Sequence, residues 1–70
     1  MRYLVVIEKA RRGYSAYSPD LPGCVATGTT RAQAARAMRK AMEMHLDELR
    51  AGGEKLPTPM ASSTYVEVPA

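Results

Sequence analysis

Apolar and polar positions change rhythm four times along this chain, and each change predicts an element. Tyr3-Leu4-Val5-Val6-Ile7 is an unbroken run rich in β-branched and aromatic residues, and reads as a strand within Met1 to Lys9. Alternation puts Tyr3, Val5 and Ile7 on one face and Leu4 and Val6 on the other, so both faces are apolar and both need cover. Ala10-Arg11-Arg12-Gly13 is a hairpin connection. Tyr14 to Ser18 alternates Tyr14 and Ala16 against Ser15 and Tyr17, a second strand. Ser18-Pro19-Asp20-Leu21-Pro22-Gly23-Cys24 is then a rigid bend, because proline fixes φ and lacks a donor while glycine admits conformations closed to other residues. Cys24 to Thr27 is a short third strand.

From Thr30 the period becomes helical. Thr30-Arg31-Ala32-Gln33 has the form of a capping box, the Thr hydroxyl taking a backbone donor and Gln33 returning one. Ala34, Ala35, Met38, Ala41, Met42, His45, Leu46 and Leu49 fall within roughly 140° of arc, with Arg36, Arg39, Lys40, Glu43, Asp47 and Arg50 opposite. Gly52-Gly53 stops the helix near Ala51. Glu54 to Ser63, with Pro57 and Pro59, is an extended return, and Thr64-Tyr65-Val66-Glu67-Val68 reads as a last strand. The expected fold is α+β: a two-layer α/β sandwich in the order β-β-β-α-β, a mostly antiparallel sheet with one helix on one face. The helix acts as a long crossover, which would set the last strand parallel to the first and beside it.

Size narrows the picture. Seventy residues make a single domain, 1–70, that buries about 60% of its unfolded surface and is marginal alone. One cysteine excludes an internal disulfide, and one Cys with one His excludes an ordinary zinc site. Oligomerisation is the remaining remedy, and the surplus apolar face of the first strand calls for a second subunit, as a homodimer or tetramer. There is no apolar run of membrane-spanning length and no signal-peptide pattern, and the unpaired Cys24 fits a reducing cytoplasm. A net charge of +3 is mildly basic, below what a dedicated nucleic-acid binder carries.

Several residues invite a chemical role. Asp20 is an acid in a turn, yet metal-dependent nuclease chemistry needs several carboxylates converging on one point, and the strands supply Glu8, Asp20 and Glu67. Asp20 is expected instead to cap backbone donors of its own turn. His45 lies inside the apolar stripe and reads as packed; Cys24 reads as a small buried residue. Lys9, Arg11 and Arg12 at the hairpin, with Arg31, Arg36, Arg39 and Lys40 on the helix, could steer phosphates, but no aromatic residues interleave the basic helix and no common nucleic-acid motif is present. Met44 and Ala37 flank the stripe and could extend an interface.

The chain also resembles a known family. The opening strand, Gly13-Tyr14-Ser15-Ala16-Tyr17, the Asp20-Leu21-Pro22-Gly23-Cys24 turn, Gly28 with Thr30, the helix, and Leu56-Pro57-Thr58-Pro59 occur in the order found in HicB-like antitoxin domains, the antitoxin half of bacterial HicA–HicB pairs. The resemblance covers nearly the whole chain. It implies a sheet like a truncated ribonuclease-H fold and a non-enzymatic protein-binding module, without cofactor, that neutralises a small mRNA-cleaving toxin of HicA type. Full antitoxins of the family also carry a C-terminal DNA-binding domain; these 70 residues hold no pattern for one, so DNA-binding autoregulation is not expected of them. The partner toxins are typically basic, as is this chain, so docking requires local patches of different charge. The partner-contact candidates are Asp20, Leu21, Pro22, Gly23 and Cys24 in the turn and Thr30, Arg31 and Arg36 at the helix start. The alternatives are a solitary oligomeric domain with another protein partner, or weak RNA binding through the arginine-bearing surfaces.

Overall fold

The computed structural model describes residues 1–70 and contains three short strands followed by one long helix. Strand β1 (Val6–Lys9) pairs antiparallel with β2 (Tyr14–Tyr17), and β2 pairs antiparallel with β3 (Val25–Gly28), in the spatial order β1-β2-β3. The first hairpin closes through Ala10 N–H donating to the Gly13 carbonyl at 2.9 Å. Helix α1 (Arg31–Ala51) lies over one face, chiefly above β3 and then β2, so the class is α+β as expected.

The periodicity of each element decides what the helix covers. Tyr3, Val5, Ile7, Tyr14, Ala16 and Ala26 share the helix side of the sheet, and Ala34, Met38, Ala41, Met42 and Leu46 meet them from above. Leu21, Ala34 and Met38 are fully buried, and Ala16 and Cys24 nearly so. The expected helical stripe is therefore the packed one, with Ala35 exposed at its margin. Gly28 sets the spacing of the two layers: a Cβ there would stand 2.4 Å from the Ala34 nitrogen and 2.8 Å from the Gln33 carbonyl carbon. Backbone touches backbone at this point, which no larger residue allows.

The other sheet face is open. Val6 is opposite Tyr17, and Tyr17 is opposite Val25, so these three form one apolar row across the sheet. Glu8, Ser15 and Thr27 form the next row on that face and are polar. Tyr17 and Val25 are 41% and 67% exposed, so the helix leaves this row uncovered.

Two elements differ from the sequence reading by more than one residue. β1 begins at Val6, although the apolar run starts at Tyr3. Val6 pairs with Tyr17, the last residue of β2, and Pro19 has no N–H with which to carry that strand further. Tyr3-Leu4-Val5 consequently run past the end of their partner. The expected last strand, Thr64–Val68, forms no strand within the chain, and the sheet is three-stranded and wholly antiparallel. High β-propensity suits a residue to a ladder but does not supply the neighbour that makes one. Tyr65, Val66 and Val68 stand exposed at 104%, 75% and 71%.

The proline turn and the helix start as candidate functional site

The bend after β2 is two successive turns that share Leu21. Leu21 N–H donates to the Ser18 carbonyl at 3.1 Å, and Cys24 N–H donates to the Leu21 carbonyl at 3.1 Å. The Leu21 and Cys24 side chains point inward and anchor the turn, while Pro22 and Gly23 face solvent. Gly23 has φ +84°, with nothing within 4 Å of where a Cβ would sit. The turn needs glycine there for its backbone, not for space. Burial pushes the Cys24 thiol above its ordinary pKa, which suppresses the reactive thiolate. As candidate contacts, then, Leu21 and Cys24 shape the turn from within, and Pro22 and Gly23 are its accessible surface.

Asp20 caps backbone donors, but distant ones rather than those of its own turn. Its Oδ2 accepts from Met60 N–H at 3.1 Å and from Ala61 N–H at 3.0 Å. One carboxylate oxygen thereby fastens a segment 40 residues further along the chain. Tyr3 reinforces the attachment, its hydroxyl donating to the Pro57 carbonyl at 2.6 Å. Neither contact was legible in the sequence. The available signal was indirect: an acid in a tight turn, and an extended return marked by Pro57 and Pro59.

Thr30 is the N-cap of α1, extended at φ −128° and ψ 163°, and its Oγ1 accepts from Gln33 N–H at 3.1 Å. The reciprocal half of the expected capping box is displaced by one residue. Gln33 Oε1 accepts from Thr29 N–H at 3.0 Å and from the Thr29 hydroxyl, instead of from the Thr30 amide. Thr30, Arg31 and Arg36 are all exposed.

The turn and the helix start do not form one patch. Gly23 and Cys24 border a shallow recess with Ala41, Met44, His45 and Glu48, in the second half of α1. Arg31, at the other end of the helix, lines a recess with Leu4 to Ile7 and with Ser63 to Tyr65. Arg36 shares the outer side of α1 with Arg39, Lys40 and Glu43, where Arg39 stands 3.8 Å from Glu43. The candidates thus occupy three places. Beside the turn, sequence reasoning passed over Glu48, an exposed acid near the exposed Met44. Its spacing from the turn cannot be counted along the chain, because it depends on how α1 crosses the sheet.

Among curated proteins, the chain is 32% identical over 69 residues to a 14.9 kDa protein of the rep–hol intergenic region of Haemophilus phage HP1, covering 99% of this chain and 52% of that protein. It is 44% identical over 46 residues to a UPF0150 protein of Helicobacter pylori, covering 66% of this chain and 64% of the relative. A UPF0150 protein of Thermoplasma acidophilum is 33% identical over 67 residues, covering 94% and 97%. The chain thus spans about half the phage protein but nearly all of the archaeal one. Among solved structures, a chain of the HicA3 and HicB3 toxin–antitoxin complex superposes with a TM-score of 0.71 at 32% identity, covering 86% of this chain and 70% of that one. The family model for the HicB-like antitoxin of bacterial toxin–antitoxin systems matches residues 3–70. With the fold, the proline turn and the helix start in the family's order, this chain belongs to the HicB-like antitoxins.

Proposed function

We propose that this domain is the toxin-neutralising half of a toxin–antitoxin pair, a cytoplasmic, non-enzymatic module that docks on a small mRNA-cleaving toxin of HicA type. The observation that carries this reading is the likeness, at 32% identity and a TM-score of 0.71, to a chain of the HicA3 and HicB3 complex. The placement of the acids supports a binding role. Asp20 is engaged by the Met60 and Ala61 amides, Glu8 is on the polar row of the open face, and Glu67 is in the exposed C-terminal segment.

Charge separates the candidate contacts. A basic toxin is repelled by the helix start, where Arg31 and Arg36 are exposed, and is better met at Pro22 and Gly23 beside Met44 and Glu48. An interface of standard size needs about 800 Å² per partner, so the turn serves together with adjoining helix and strand residues. Self-association belongs to the same reading. The open row Val6, Tyr17 and Val25 is the surface that a second subunit would cover, in a homodimer or a tetramer of paired dimers.

Co-expression with the product of a genomically adjacent small toxin gene tests the reading. The expected result is rescue of growth, weakened by Glu48→Lys and altered by Arg31→Glu without a change in oligomer mass. Absence of rescue overturns it. If immobilised protein then retains RNA in a salt-dependent way through Arg36, Arg39 and Lys40, the basic helix face is the functional surface instead.

A further inference from the structure

We propose that Thr64–Val68 is an exchanged strand: it leaves its own protomer and adds to the free edge of β1 in a second copy of this chain. The inference does not rest on the antitoxin reading and concerns the free edge of β1, which borders the open sheet face at Val6.

The segment is built like a strand and is not used as one. It forms no helix, strand or turn, and its apolar residues Tyr65, Val66 and Val68 are exposed at 104%, 75% and 71%. It departs from the body of the protein. The radius of gyration is 13.8 Å, whereas a compact chain of this length has about 11 Å. The long axis of 49 Å is nearly twice the second axis of 26 Å. Nine extended residues from Ser62 reach about 30 Å, enough to cross the width of a neighbouring copy. The exit point is fixed, because Asp20 holds the Met60 and Ala61 amides and Tyr3 holds the Pro57 carbonyl. A tail aimed from a fixed base loses less entropy on docking than a free one.

The acceptor is the edge of β1. β1 is an edge strand with a neighbour on one side only, and such an edge templates pairing with another chain. Tyr3-Leu4-Val5 extend the edge beyond β2, and the backbone bonds outside the helix and strands include none from residues 1–5 or 62–70. Along this edge, on the helix side, runs a groove of about 490 Å³ lined by apolar residues that include Tyr3, Val5, Met42 and Leu46, and by three arginines, Arg2, Arg39 and Arg50, against one acid, Glu43. Alternation puts Tyr65 and Glu67 on one face of the tail and Thr64, Val66 and Val68 on the other. An added strand seats Tyr65 in the groove, sets Glu67 toward Arg2 and Arg39, and lays Val66 and Val68 beside Leu4 and Val6. Both faces of β1, apolar from the sequence onward, then have company. Within one chain Ser63 to Tyr65 border a recess with Leu4 to Ile7 but form no ladder, and Val66 and Val68 beyond it are exposed. Each copy gives one tail and receives one, so the contact is doubled about a two-fold axis.

Light scattering on the full chain, and NMR on a mixture of isotope-labelled and unlabelled chains, test the proposal. The expected results are a mass of twice 7.6 kDa at micromolar concentration and contacts from Tyr65 of one chain to Val5 and Met42 of the other. Val66→Pro, which removes a ladder donor, should raise the dimer dissociation constant about 100-fold or more while the helical circular dichroism is unchanged. Tyr17→Glu, on the open face, should leave the intermolecular Tyr65 contacts in place. A parent mass of 7.6 kDa, a dimer indifferent to Val66→Pro, or Tyr65 contacts found within one chain alone would each overturn it.

Discussion

β2 and the segment Thr64–Val68 are composed alike, Tyr-Ser-Ala-Tyr against Thr-Tyr-Val-Glu-Val, and by residue preference the second is the better strand. Yet β2 is the central strand of the sheet, bonded on both sides, and Thr64–Val68 is bonded on neither. The difference is the company each keeps. β2 follows β1 through a tight connection, so its partner is always within reach, and β3 is returned to its other side by a turn with two prolines and a buried leucine. Thr64–Val68 follows a helix of 21 residues and an extended return, and its place depends on where Asp20 and Tyr3 fasten that return. Local sequence determines whether a segment is able to be a strand; the position of a neighbour determines whether it is one.

Substitutions in the two regions should therefore differ most in stability. Gly28→Val drives a side chain into the Ala34 and Gln33 backbone and is expected to cost about 4 kcal/mol or more, leaving no cooperative thermal transition in circular dichroism. Val66→Ala in the tail should move the melting free energy by about 0.5 kcal/mol or less at concentrations where the chain is monomeric. Equal effects would break the comparison.

Gly23→Val tests the turn without a steric complication. Nothing lies within 4 Å of an added Cβ, so the expected loss of about 1–3 kcal/mol in urea unfolding comes from the positive φ alone. Gly23→Ala should cost a similar amount; a melting curve that overlays the parent would show that the turn does not require glycine at positive φ. Asp20→Ala cuts the link between body and tail. It should cost about 1–2 kcal/mol and speed hydrogen exchange at the Met60 and Ala61 amides, with Asp20→Asn recovering part of both. Unchanged exchange at those two amides would show that the return is held by something else.

Ser18 supplies the smallest effect. Its hydroxyl is buried, at 3% exposure, and has no hydrogen-bond partner. Ser18→Ala should be neutral or stabilise by up to about 1 kcal/mol, because an unpartnered buried hydroxyl is a net cost. Destabilisation beyond that would mean the hydroxyl has a partner in solution.

The sequence by itself determined the first hairpin, the proline bend, the third strand and the amphipathic helix from Thr30 to Gly52. Each of these rests on interactions among residues close in the chain: alternation, a turn closed over three or four positions, a cap to Gln33. It also determined that both faces of the first strand are apolar and that one helix covers one of them. Tertiary structure alone decided that β1 starts at Val6, since that depends on where β2 ends. It decided that Asp20 serves Met60 and Ala61, and that the turn neighbours Glu48 instead of Arg31 and Arg36. It left Thr64–Val68 without a partner inside the chain. Each of these outcomes depends on the distance between segments far apart in sequence, which the packing of α1 on Gly28 sets and no local pattern encodes.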